Sequence, residues 1–447
     1  MRHWRNAQSA YLNIAAASAA LEEIMKQGIY HGCIEILETE LIPALGCTEP
    51  IAIAYASAKA REVLGDFPEK ITVSSSGNIV KNVKGVVVPA TGGLKGIEAA
   101  AIIGAVGGDS SLELEVLSKV TEEHRRRTKE LMEEGICTAA LLNSTAKLHI
   151  VVEMQKGDQI SKVEVIHTHT GIVRIEKNGE VLLDVPHDEE EMEAEVEMDF
   201  LNIPAIYEFA RNVRIEDVKP ILKRQIEYNT TIAEYGLKHT YGANVGAMLI
   251  KMYGDNVSAL AKAMPAAGSD ARMGGCELPV VINSGSGNQG MTVSLPVIVY
   301  ARELKATEEQ LYRALCISNL TAVYQKKEIG RLSAYCGAVS AGAGAGAGIA
   351  YLLGGGVEEI GAVVTNTLAN VAGIVCDGAK ASCAAKIASS VEAALMAINL
   401  TFGGRTFSPG EGIVKEDVND TVEGVAMIAR EGMRITDEVI LDVMINS

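Results

Sequence analysis

Ala341-Gly342-Ala343-Gly344-Ala345-Gly346-Ala347-Gly348 alternates two small residues without interruption inside the apolar stretch from Gly337 to Gly356. Each glycine within a helix costs about 1 kcal/mol relative to alanine, so four of them cost several kcal/mol. Such a run persists where backbones or a ligand must approach closely. A flexible linker is the competing explanation, but linkers are polar, and the flanks here are apolar. The stretch is long enough to cross a bilayer, yet Leu-like residues drive insertion and this one is mostly Ala and Gly. The expectation is a helix buried in a protein core. Aromatic residues make up only 4% of the chain against 44 glycines, so Ala, Val, Ile and Leu must fill the interior. That composition favours closely packed helices.

The length of 447 residues suits two or three domains with sizeable cores. The net charge of −17 argues against a nucleic-acid partner, which needs a basic patch or stripe. No continuous apolar segment with a cleavage site opens the chain, and no segment clearly spans a membrane. The expected setting is the cytoplasm, with thiols reduced. MRHWRNAQSA at the start reads as a loose tail or cloning residue.

Three regions follow from the texture of the chain. Residues 1–66 are an N-terminal helical segment expected to pack on the C-terminal domain, broken at ELIPALGCTEP. There Thr48 resembles an N-cap, with Pro50 in the first turn. Residues 67–212 alternate β-type runs (ITVSSS, GVVVPA, KLHIVVEM, KVEVIHTHT, GIVRIEKNGEVLLDV) with helix-like segments, an α+β domain. Asn178-Gly179 is a two-residue hairpin signal, and the acidic run from Asp188 to Glu191 reads as a solvated first turn of a helix. Residues 213–447 read as almost wholly helical. The fold class expected is α+β, with a mostly helical C-terminal domain.

Cysteines concentrate the chemistry. Cys336 in AYCGAVSAG, Cys376 in GIVCDGAK and Cys383 in ASCAAK are each embedded in small residues, at intervals of 40 and 7. These spacings match neither zinc C-x₂-C pairs nor tight ferredoxin runs. Buried packing is the plain alternative, since unpaired cysteines behave as small apolar side chains. If three thiolates instead hold an iron–sulfur cube, one iron lacks a protein ligand and is free to act on substrate as a Lewis acid. Cys47 sits just before a helix N-terminus, where the dipole lowers a thiol pKa, making it a candidate proton acceptor. Cys33, Cys137, Cys276 and Cys316 are expected in the core.

Two polar glycine-bearing segments are candidate substrate loops, SSSGNIVKN and NSGSGNQG. Ser286, Gly287, Asn288 and Gln289 can form an anion nest for a carboxylate, with Asn78 assisting from the other domain. Neither segment matches a nucleotide-binding glycine pattern. His167 and His169 lie at strand spacing, but no third ligand is near, so a structural or surface role is expected. Lys326 and Lys327 have no surrounding pattern for a Schiff base, and no G-x-S-x-G elbow is present.

ELIPALGCTEP, SSGNIVKN, NSGSGNQG, AYCGAVSAG and CDGAKASCAAK together resemble the L-cysteine desulfidase family, whose C-terminal half is similar to the iron–sulfur L-serine dehydratase α-chain. The resemblance runs from about Ala15 to Ile445. It implies that Cys336, Cys376 and Cys383 hold a 4Fe-4S cluster and that Cys47 transfers protons. It implies β-elimination of L-cysteine to pyruvate, ammonia and hydrogen sulfide, without pyridoxal phosphate. L-serine dehydration is the nearest alternative, and a non-catalytic amino-acid-binding or redox-sensing protein is the alternative of another class. The expected partner is a small amino acid; the oligomeric state is left open.

Overall fold

The structure, a computed structural model, describes residues 26–188, 198–330 and 332–445. The expectations for the N-terminal tail, and for the acidic run beyond Asp188, fall outside these residues.

A six-stranded sheet forms one layer, in the order Cys137–Leu141, Lys70–Ser75, His149–Lys156, Gln159–Ile166, Ile172–Lys177, Glu180–Asp184. The first pair is parallel and the others antiparallel. Alternation puts Ile150, Val152 and Met154 in the core while Glu153 and Gln155 face water, the period-two pattern of a half-buried strand. Asn178 and Gly179 both have positive φ, 52° and 82°, as a type I′ hairpin turn requires. GVVVPA departs from its expected strand and makes only the isolated bridge Val87–Lys95. Pro89 lacks an N–H for a ladder, and Ala90, Gly92 and Gly93 all turn through positive φ.

The second layer is a helical bundle centred on Gly337–Leu352. This helix packs against Gly287–Glu303, Glu308–Lys327, Val357–Val371 and Cys383–Phe402. The Ala-Gly alternation is explained by two helical faces spaced four residues apart. A Cβ on Gly344 or Gly348 would lie 2.5 or 2.8 Å from the carbonyls of Ser318 and Ala314. On the other face, a Cβ on Gly342 would meet Ser390 O at 2.9 Å, and one on Gly346 would meet Val363 at 2.9 Å. Ridges of missing Cβ atoms therefore let four helices close on one. Cys383–Phe402 is long and apolar enough to cross a membrane by composition, and its buried face is spent on this packing.

This geometry reverses the usual helix propensity. Gly344→Ala should destabilise the protein by about 1–3 kcal/mol although alanine is the better helix former, because overpacking outweighs propensity. Gly424, within Val418–Met427, has nothing within 4 Å of its would-be Cβ. Gly424→Ala should stabilise by up to about 1 kcal/mol. Urea midpoints of the two variants check both signs.

The helices of the N-terminal region divide between the two layers. Helix 26–40 does lie on the helical layer, where Tyr30 Oη donates to Asp217 at 2.5 Å. Pro43–Leu45 pairs with Pro279–Val281. Thr48–Leu64, however, packs on Ile97–Gly107 and the sheet, so it belongs to the α+β layer. The reason is steric: Gly104 lets the two helices meet so closely that a Cβ there would lie 2.3 Å from Ala54 O. At the other terminus, Arg434–Ile445 returns to the α+β layer. It packs on Gly77–Val83, where buried Lys81 pairs with Asp437.

Candidate active site

Where the layers meet, four helices begin around one cavity of about 90 Å³: Thr48–Leu64, Gly287–Glu303, Gly337–Leu352 and Cys383–Phe402. Helix N-termini carry unsatisfied N–H groups and partial positive charge, so their convergence favours anions. Cys47, Cys336, Cys376 and Cys383 all line this cavity.

Cys47 is itself the N-cap of its helix, one residue earlier than the expected cap at Thr48. Gly46 has φ 68° and no room for a Cβ, which would fall 1.9 Å from Pro89 Cγ. Thr48 Oγ1 donates to Gly285 O at 3.0 Å, tying this turn to the NSGSGNQG loop. That loop reverses through Ser284 and Gly285, both with positive φ, and Ser286 then stands at the N-cap position of the next helix without a side-chain bond to it.

Cys336 caps Gly337–Leu352. Its N–H donates to Ile374 O at 3.1 Å, and the Cys376 N–H donates to Ala334 O at 2.6 Å, so a short backbone bridge sets the two cysteines side by side. Gly378 must be glycine: φ is 93° and a Cβ would lie 2.3 Å from Lys81 O. Asp377 pairs with Lys380 at 2.7 Å and also with Lys386, bracing the loop that delivers Cys383.

Cys336, Cys383 and Cys47 are tuned upward. Burial pushes Cys336 up to about 12, and the adjacent Cys376 sulfur adds to it. Burial also raises Cys383. Cys47 contradicts the expected low pKa. Its removal from water raises it well above the ordinary value, and the Glu49 carboxylate adds to this, while Arg272 acts in the opposite direction. Desolvation exceeds what a helix terminus supplies. The Cys47 thiol donates to Glu49 Oε2 at 3.1 Å.

All eight cysteines are free thiols. Among the described residues no three His, Cys, Asp or Glu side chains converge on a point for one metal ion. Three separated thiols around a cavity suit a cube, in which each thiolate takes a different iron. Metal binding replaces their protons.

The sequence-derived site residues divide. Ser286, Asn288 and Gln289 line the cavity with the four cysteines. Gly287 lies beneath Arg272, where a Cβ would be 2.5 Å from Nε. Asn78 does not line the cavity. SSSGNIVKN contains a helix, Gly77–Val83, and its face brings Asn82, one turn on, to the cavity instead.

Glu49, Asn82, Arg272 and Tyr335 were missed. Arg272 is 2% exposed and donates from Nε to Gly46 O at 2.8 Å and from Nη1 to Asn288 Oδ1 at 3.2 Å. Its only sequence signal is a cation in the Ala-rich helix Val257–Met273. Lys326 and His169, set aside above, also line the cavity and are buried. His167 is instead in a turn at φ 63°, with Nε2 2.7 Å from Asp188 O.

Two residues before Arg272, buried Asp270 accepts from the Gly246 N–H at 3.0 Å through Oδ2, while Oδ1 has no hydrogen-bond partner among the described residues. Burial raises its pKa from 3.8 to about 6. The native state therefore holds this proton more tightly than the unfolded chain. Its stabilising contribution is complete below the unfolded value and is lost as pH rises through the folded one. Asp270→Asn should leave stability near pH 4 almost unchanged and raise it at pH 7 by on the order of 1–3 kcal/mol. Thermal melts at the two pH values measure the difference.

The family described as serine dehydratase alpha chain matches residues 111–442. A UPF0597 protein of Lachnoclostridium phytofermentans is 60% identical over 422 residues, covering 94% of this chain and 100% of the relative. UPF0597 proteins of Desulfitobacterium hafniense and Treponema denticola are 50% and 48% identical, covering 93% and 92% of this chain and 97% of each relative.

Proposed function

This chain belongs to the serine dehydratase alpha chain family, and from that premise we propose that it is an L-cysteine desulfidase. It converts L-cysteine and water to pyruvate, ammonia and hydrogen sulfide. The observation that carries this reading is the meeting of Cys47, Cys336, Cys376 and Cys383 at one cavity ringed by helix N-termini.

Cys336, Cys376 and Cys383 would hold a 4Fe-4S cluster, whose open iron would serve as a Lewis acid toward the departing sulfur. Cys47 takes the α-proton. Because its thiol is raised rather than lowered, it needs an acceptor for its own proton, and Glu49 Oε2 stands in hydrogen-bond contact. Ser286 and the first N–H groups of Gly287–Glu303 receive the carboxylate; no side chain caps them. The buried site excludes water until elimination is complete. The aminoacrylate released then hydrolyses to pyruvate and ammonia. Cytoplasmic action on a free amino acid belongs to the same proposal.

The family description favours a second reading, in which L-serine loses water at the same site. The deciding experiment measures sulfide and pyruvate from L-cysteine, and pyruvate from L-serine, with anaerobically iron-reconstituted protein. Equal yields of sulfide and pyruvate support the desulfidase. Pyruvate from L-serine alone supports the dehydratase. A cluster with no turnover of either turns the reading to a non-catalytic binding or redox-sensing protein.

A further inference from the structure

We propose that Arg272 and Gln289 form a two-point anchor for a free α-amino acid, Arg272 holding its carboxylate and the Gln289 amide oxygen accepting from its ammonium. The proposal rests on the elimination reading for what happens to the bound molecule, but the anchor itself is argued from the cavity. Assigning the ammonium to Gln289 also revises its role, since the sequence placed this residue in a carboxylate nest.

Arg272 is an unusual cation to bury. Two of its nitrogens are used on Gly46 O and Asn288 Oδ1, and among the described residues no carboxylate forms an ion pair with it. A buried charge lacking a counterion is costly, and a carboxylate ligand would supply one. The guanidinium lies over the start of Gly287–Glu303, where Gly287 leaves it room. One anion can therefore be reached by the guanidinium and the helix N-terminus together.

Gln289 provides the independent observation. It is 5% exposed, lines the cavity, and its Oε1 has no hydrogen-bond partner among the described residues. Leaving a buried acceptor empty costs about 1–3 kcal/mol, and a ligand ammonium would fill it. Glu49, another acceptor lining the cavity, already receives the Cys47 thiol through Oε2. The Gln289 amide also rests on Gly337, where a Cβ would lie 2.4 Å from its Cδ. Gly337 directly follows Cys336, so the ammonium anchor is held beside the cysteine wall while Arg272 stands beside the Cys47 turn. A ligand fixed at both points has its Cα between them, with its side chain as the third point of contact. This makes both the free amino group and the free carboxylate requirements of binding.

L-Alanine carries both groups and no leaving group, so its binding is read without turnover. Calorimetry is run on the protein as isolated and after anaerobic iron–sulfur reconstitution, with L-lactate and L-alaninamide as competitors. L-Alanine should bind about 10-fold or more tightly than either analogue. Arg272→Lys should weaken it about 10- to 100-fold. Gln289→Leu should weaken it about 10-fold and erase the preference over L-lactate. The analogue series needs no variant, so a misfolded Arg272→Lys leaves the question decidable. Equal binding of all three ligands, or undiminished L-alanine binding by folded Gln289→Leu, overturns the anchor. So does absence of L-alanine binding, whether or not L-serine or L-cysteine is turned over. Selective L-alanine binding without any turnover keeps the anchor and removes the elimination reading.

Discussion

Cys376→Ala loses the visible absorbance of a reconstituted iron–sulfur cluster and the elimination activity together, with bound iron falling from about four per chain toward none. Cys336→Ala and Cys383→Ala do the same, but Cys376 is the sharpest of the three tests. It lies in the connecting loop and is only partly buried, so its side chain contributes less to packing than Cys336 in the core cluster. A truncation there leaves the circular dichroism and melting temperature near those of the parent. Cys33→Ala and Cys316→Ala are the contrasting controls. Both sites are fully buried, and truncation should cost stability through small cavities while leaving cluster absorbance in place. An active, cluster-free Cys376→Ala would sink the proposed mechanism outright.

Cys47→Ala separates proton transfer from cofactor retention. Turnover should fall about 10²- to 10⁴-fold, the usual contribution of a positioned acid or base, with the cluster spectrum unchanged. Cys47 belongs to a different helix start from the other three and is bonded to Glu49. Loss of absorbance in this variant would place Cys47 among the ligands and refute its role as base. Glu49→Gln should also slow turnover, because the raised Cys47 thiol then lacks a carboxylate to receive its proton. Side-by-side absorbance and pyruvate assays of the two variants resolve these outcomes.

Much of the architecture was legible because it depends on residues near one another in the chain. The Ala-Gly run announced a tightly surrounded helix, and Asn178-Gly179 announced its hairpin. The β-branched run Ile150-Val151-Val152 announced His149–Lys156. GVVVPA failed as a strand because one proline and a positive-φ turn outweighed three valines. Asn78 was placed at the site on the assumption that its segment is a loop; the segment contains a helix, and Asn82, one turn on, is the residue that lines the cavity. Arg272 and Glu49 escaped notice for a different reason. Glu49 stands in the ELIPALGCTEP motif but draws its meaning from the buried Cys47 thiol it accepts from. Arg272 belongs to no motif and matters only through the Gly46 and Asn288 that the fold brings against it.

The chain itself determined the helical core, the mixed sheet and the identity of the four cysteines worth watching, since propensity, periodicity and steric demand act over a few residues. Tertiary structure alone decided that four helix starts share a cavity, that Thr48–Leu64 serves the sheet layer, and that a buried guanidinium stands beside the Cys47 turn. It also reversed the direction of the Cys47 pKa. A helix terminus can be read from local sequence, but desolvation is set by every atom that excludes water, and most of those atoms come from distant parts of the chain.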